Sequence, residues 1–139
     1  ADIMPMMPEY KTAQAEIQNL EKQYSNELQM MESELAKKSE AYDKEKATLP
    51  ANIQQRREQE LQELYGRMQQ YYQQSQQELA QASQEKMAAI TEKIMKAIKE
   101  VGVSGGYLYI FDVASGIPYI SETLSTDVTA AVKAKLGIQ

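Results

Sequence analysis

The chain has 139 residues, about one domain's worth of length, with a net charge of -5 and an isoelectric point near 4.9. Without cysteine or histidine it has no thiolate nucleophile, no disulfide and no thiolate metal site, and it lacks the usual neutral-pH general base. The acidic balance argues against nucleic acid, whose phosphates call for a basic face, and no apolar stretch approaches the ~20 residues that span a bilayer.

Hydrophobic residues make up 42%, but many of them are Ala, Met and Tyr; there is no Trp and the single Phe is Phe111. Gln, Glu, Lys and Ala dominate the rest, a composition for solvated helices, and the mean hydropathy of -0.59 implies much exposed surface. The opening Ala1-Asp2-Ile3-Met4-Pro5 has neither the basic nor the apolar region of a signal peptide, as in a mature or trimmed secreted protein.

Residues 1–7 read as a short N-terminal segment punctuated by Pro5, with Pro8 opening the first helix. From Pro8 to about Thr48 there is neither Pro nor Gly. Ile17, Leu20, Tyr24, Leu28, Met31, Leu35 and Tyr42 recur at intervals of three, four or seven, the seam of a coiled coil. Leu49-Pro50 interrupts the pattern, because proline disfavours helix at the preceding residue yet suits a first helical turn. The tip of a helical hairpin is expected near residues 48–52, with a kinked continuous helix as the alternative.

A second helix is expected to run to Val101, with Ile53, Leu61, Leu64, Met68, Tyr71 or Tyr72, Leu79, Ala82, Met87, Ile90, Ile94, Ile98 and Val101 as its stripe. Gly66 is its only internal glycine, and the stretch from Gln69 to Gln84 is unusually rich in Gln while keeping helical spacing. Residues 8–101 would then form an antiparallel pair whose facing residue numbers sum to roughly 99, placing Leu28 near Tyr71 or Tyr72 and Leu35 near Leu64.

At Gly102 the pattern changes. After Ser104-Gly105-Gly106, the run Tyr107-Leu108-Tyr109-Ile110-Phe111-Asp112-Val113 carries a strand signature, and Ile117 to Ser121 suggests a second, shorter strand. Thr126-Asp127 can cap a short helix bearing Val128, Ala131, Val132 and Leu136, closed by Gly137. The expectation is a mostly α fold with a small β part, residues 102–139 forming a strand-strand-helix oligomerisation body. A single hairpin cannot make a stable β core, so its apolar residues would seek other chains.

This order resembles the Skp/OmpH family of periplasmic chaperones. The likeness rests on Ile90 to Lys99 ending the returning helix, on Gly106-Tyr107-Leu108-Tyr109-Ile110-Phe111-Asp112, on Tyr119, and on Thr126-Asp127-Val128-Thr129-Ala130-Ala131-Val132. Met4 to Tyr10 is similar to the segment that opens the family's first helix. The resemblance implies a jellyfish-shaped homotrimer in the periplasm, in which a β-rich trimerisation body carries helical tentacles around a cavity. Such a protein would hold unfolded outer-membrane β-barrel proteins without ATP or any other cofactor, and would not be an enzyme. Two departures stand beside it: the family's first strand has no counterpart in residues 1–7, and familiar members are basic whereas this chain is acidic. A transient contact with membrane or lipopolysaccharide is correspondingly weakened.

Holding an unfolded chain calls for many soft, adaptable contacts, and Met and Tyr supply them. Candidate client contacts are Met30, Met31, Tyr42, Tyr65, Met68, Tyr71 and Tyr72. Helical neighbours point about 100° apart, so one of Met30-Met31 and one of Tyr71-Tyr72 should face outward. The same residues could instead pack hairpin against hairpin. Candidate oligomerisation residues are Tyr107, Tyr109, Phe111, Tyr119, Val128 and Val132. The charged run Glu40 to Lys46 with Arg56-Arg57 reads as a solvated face or as a dock for an anionic surface. Ser104-Gly105-Gly106 lacks the Lys and the following helix of a phosphate loop and reads as a turn. Competing readings are a structural coiled-coil scaffold without client-holding activity, and a prefoldin-like chaperone, whose hairpins would lie between the helices instead of after them.

Overall fold

The computed structural model describes residues 3–138; Ala1, Asp2 and Gln139 lie outside the described residues, and with them part of the segment compared with the family's first strand. The described chain is helical. A 3-10 turn at Met4–Met6 precedes α1 (Pro8–Glu45), a second at Lys46–Thr48 leads into α2 (Ala51–Gly105), a third lies at Val113–Ser115, and α3 (Thr129–Leu136) closes the order. The chain divides into two compact units, one comprising Ala1–Glu16 with Ser83–Gln139, the other Ile17–Ala82.

The unit Ile17–Ala82 contains the reversal. Leu49 is extended, at φ -82° and ψ 141°, as a residue before proline prefers. Pro50 then starts the returning helix, its carbonyl accepting from the amides of Ile53 and Gln54 at 2.9 and 3.0 Å. The Gln54 side-chain amide reaches back to the carbonyls of Lys46 at 2.7 Å and Leu49 at 2.9 Å, supplementing the Leu49 amide that already donates to Lys46 at the helix end. Along this unit Tyr42, Leu64 and Ser75 are buried, while Tyr24, Leu28, Met31, Leu35, Leu61, Met68, Tyr71 and Leu79 are half-buried. The buried Ser75 hydroxyl donates to the Tyr71 carbonyl one turn earlier, so this hydroxyl is not stranded.

Polar ties between the helices give the register. Tyr24 to Glu78 and Arg57 to Glu45 join residues whose numbers sum to 102, and Tyr42 to Glu58 gives 100. The rings of Tyr24 and Tyr71 meet edge to face, with centroids 6.2 Å apart, at a sum of 95. The anticipated sum near 99 falls inside that span.

The unit formed by the two chain ends holds the apolar core. Met7, Ala13, Ile90, Ala97, Val101, Val132, Leu136 and Ile138 are buried together, with Ile94, Ile98, Ile110 and Val128 among the residues packed against them. Met7 is fully buried. Glu9 pairs with Lys93 and Glu16 with Lys86, again at sums of 102. Both helix ends in this unit close on a left-handed glycine. After α2, Gly106 (φ 69°) donates to Val103 and Tyr107 donates to Gly102; after α3, Gly137 (φ 71°) donates to Ala134 and Ile138 to Lys133. Each is the paired 5→2 and 6→1 arrangement of a Schellman motif, and only glycine takes that φ without strain.

The expected strands do not form. Among the described residues there is no strand and no sheet, so the mixed architecture with a β-rich, jellyfish-like trimerisation body is corrected to an all-helical chain. The physical reason is the absence of a ladder partner: a strand's amides and carbonyls need a neighbour, and here they turn on themselves. Asp112 accepts from the amide of Ala114 at 3.0 Å, Gly116 adopts the left-handed conformation at φ 79°, and the Ser125 amide donates to the Ser121 carbonyl at 3.2 Å. Nor does the terminal helix depend on other chains for its apolar side. Val132 is 2% exposed within its own chain, and Asp127 accepts from the Thr129 amide at 2.9 Å.

Candidate functional site: exposed apolar surfaces

Surfaces that could grip another polypeptide appear separately in the two units. In Ile17–Ala82, each adjacent pair splits. Met30 is 67% exposed while Met31 is half-buried; Tyr72 is 53% exposed while Tyr71 packs on Tyr24. The 100° step between helical neighbours imposes this, since the seam covers only one of the two. Tyr65 is exposed and its hydroxyl accepts from the Gln69 amide at 2.9 Å. Met68 is half-buried. Tyr42 is buried, its hydroxyl donating to Glu58 at 2.5 Å. It therefore ties the two helices together and offers no face to a partner.

The carboxylates and phenols at these ties perturb one another. The hydroxyl of Tyr24 donates to Glu78, which raises the phenol above its ordinary value and lowers the carboxyl, with the Gln74 amide adding to the latter. Glu58 raises Tyr42 in the same way. In the other unit, the Lys93 ammonium at its carboxylate holds Glu9 low. The Thr129 hydroxyl and amide do likewise for Asp127. These shifts follow from structural hydrogen bonds, and no group among them sits in an enclosed cleft.

In the unit of the chain ends, Tyr107, Tyr109, Phe111 and Tyr119 are all exposed, Tyr109 and Phe111 stacking at 5.8 Å. Leu108 and Leu124, each 90% exposed, and Val113 are further uncovered apolar side chains of the same stretch. So many uncovered large apolar side chains in one short stretch make it a candidate contact surface. Val128 and Val132 belong elsewhere: Val132 is in the core and Val128 packs against it.

Residues 1–136 match the family described as "Outer membrane protein (OmpH-like)". The chain belongs to that family. No curated protein matches it significantly. Membership supports a chaperone-like role and is consistent with a periplasmic location; OmpH-like proteins are non-catalytic, and this one is not an enzyme.

At the tip of this OmpH-like chain, the cations singled out as a dock for anionic surfaces each face a carboxylate: Lys44 with Glu40 at 2.6 Å, Lys46 with Asp43 at 3.0 Å, Arg57 with Glu45 at 3.2 Å and Arg56 with Glu60 at 3.5 Å. Such pairs belong to a solvated surface and leave little net positive charge there. No group of His, Cys, Asp or Glu that could hold a metal ion occurs among the described residues, and none of their helices is long and apolar enough to cross a membrane.

Proposed function

We propose that this OmpH-like chain is an ATP-independent holdase that binds unfolded outer-membrane proteins in the periplasm and works as a homotrimer, with the client held between helical tentacles. The single observation that carries the reading is the quantity of soft apolar surface left uncovered by the chain's own fold. Met30, Tyr65 and Tyr72 in one unit, and Tyr109, Phe111, Tyr119 and Leu124 in the other, face solvent. Two tasks follow from two kinds of surface. Self-association would cover the exposed apolar side chains of the stretch from Tyr107 to Leu124. The sparse Met and Tyr positions on the helices suit weak, many-point contact with a disordered client, where no single site needs high affinity.

The test dilutes a denatured outer-membrane β-barrel protein into buffer with and without the chaperone, while light scattering and the mass of the soluble complex are recorded. Suppressed aggregation without nucleotide, with one client for every three chains, is the expected result. Unchanged aggregation in the presence of an intact oligomer would replace the holdase reading with that of a structural scaffold.

A further inference from the structure

One stretch of α2 has two features that the hairpin's own packing does not use. Between Gln62 and Gln77 the only charged residues are Glu63 and Arg67, in a chain that is 25% charged. Beside the seam on this stretch, Gln62, Tyr65, Gln69, Tyr72 and Gln76 recur at intervals of three and four, so that they share one flank of the helix. All five are exposed, and the bond from the Gln69 amide to the Tyr65 hydroxyl couples ring and amide along that flank. The second feature is Gly66. It lies in the interior of a 55-residue helix, where glycine is the least favourable residue other than proline. A methyl group placed there would meet nothing within 4 Å, so the chain itself gives no steric reason to avoid alanine. Its backbone is also ordinary helix, without the positive φ that Gly106, Gly116 and Gly137 need.

We infer that the flank of α2 around Gly66, bearing Tyr65, Gln69, Tyr72 and Gln76, is a docking stripe for an extended, uncharged stretch of unfolded polypeptide. The inference rests on the holdase reading and assigns its contact surface and the class of client segment. Tyr rings give flat apolar area with little side-chain entropy to lose. Glutamine amides carry a donor and an acceptor each, the same groups that an unpaired client backbone exposes, so they can satisfy peptide N–H and C=O groups without selecting a sequence. Gly66, one turn from both Gln62 and Gln69, lowers the helix surface along the edge of this flank, and a partner's backbone can approach the helix there more closely than past any side chain. The scarcity of charge selects the occupant: a charged ligand would find no counter-ion on the flank, whereas a neutral strand-forming segment loses none of its own solvation to unpaired charges. That is the chemistry of a β-barrel strand before it has folded.

The experiment uses the full chain and a dye-labelled peptide of alternating apolar and hydroxyl residues, capped at both ends so that it carries no charge, with a Lys/Glu-substituted peptide as control. Fluorescence anisotropy gives affinity, circular dichroism in urea gives stability, and sedimentation gives the oligomeric state. Tyr65→Ala and Tyr72→Ala should each weaken the neutral peptide at least about fivefold, with helicity unchanged. Gly66→Ala should raise the urea midpoint and yet weaken binding about threefold, because its methyl holds the partner off the helix. A merely structural glycine would give the rise in stability without the loss of binding, and that result overturns the inference. Equal affinity for the charged peptide also overturns it. So does a change in oligomeric state on Tyr→Ala substitution with peptide affinity intact, which would make the flank a contact between copies. Aggregation suppression by the unmodified chain, run in parallel, separates the two levels. If it persists while the stripe variants bind normally, the stripe is wrong and the holdase stands; if it is absent, the holdase reading itself fails.

Discussion

Replacing Val132 by Ala tests whether the terminal helix belongs to the core of its own chain. An eight-residue helix has no stability alone, so α3 persists only through the side chains it buries: Val132, Leu136 and, just past its cap, Ile138. Val132 is 2% exposed. Removing two buried methyl-sized groups loses about 1.6 kcal/mol of transfer free energy, and incomplete collapse of the space left behind brings the cost to about 2 kcal/mol. At about 1.4 kcal/mol per tenfold, that multiplies the local opening equilibrium of α3 roughly thirty-fold. Hydrogen exchange followed by mass spectrometry should show residues 129–138 losing protection by about that factor, while peptides from Ile17–Ala82 change little. In the unmodified chain the protection of α3 should not vary with protein concentration, because its partners are intramolecular. Protection that falls on dilution, or that survives the substitution, would refute the intrachain docking and return α3 to an interface between chains.

Acidification should loosen both units. Glu9, Glu78 and Asp127 are held below their ordinary values in the folded chain, so the stability they contribute is present above the unfolded carboxyl values near 4 and is lost as pH falls through the lowered ones. Tyr24 and Tyr42 are raised, so their contribution is complete below pH 10 and is lost as pH climbs through the raised values. Urea midpoints across pH should therefore fall at both extremes, and Glu78→Gln should flatten part of the acid limb; an unchanged limb would count against the Tyr24 tie. At the tip, Gln54→Ala removes two hydrogen bonds to the carbonyls of Lys46 and Leu49 and should cost about 1 kcal/mol locally. Limited proteolysis should then cut faster between residues 46 and 50, with binding of clients by the rest of the chain preserved.

Helix periodicity was legible in the residues themselves. Positions such as Leu64, Ile90 and Val101, spaced for one face, are buried, and Leu49-Pro50 carries the reversal because proline's ring disfavours helix at the residue before it. The split of Met30 from Met31 and of Tyr72 from Tyr71 also follows from helix geometry alone. What the sequence could not settle was the stretch after Gly106. Tyr107 to Val113 has the side chains of a strand, but β preference is mostly a preference for a paired, half-covered surface, and no partner edge exists among the described residues. Tyr42 shows the same limit on a smaller scale. It is equally eligible as an exposed contact or as a seam residue, and only the position of Glu58 on the facing helix decides that its hydroxyl turns inward. Local chemistry therefore determined the helices and their caps, which depend on neighbours within a few residues. Tertiary structure decided which apolar side chains are covered, because burial depends on what the rest of the chain brings alongside.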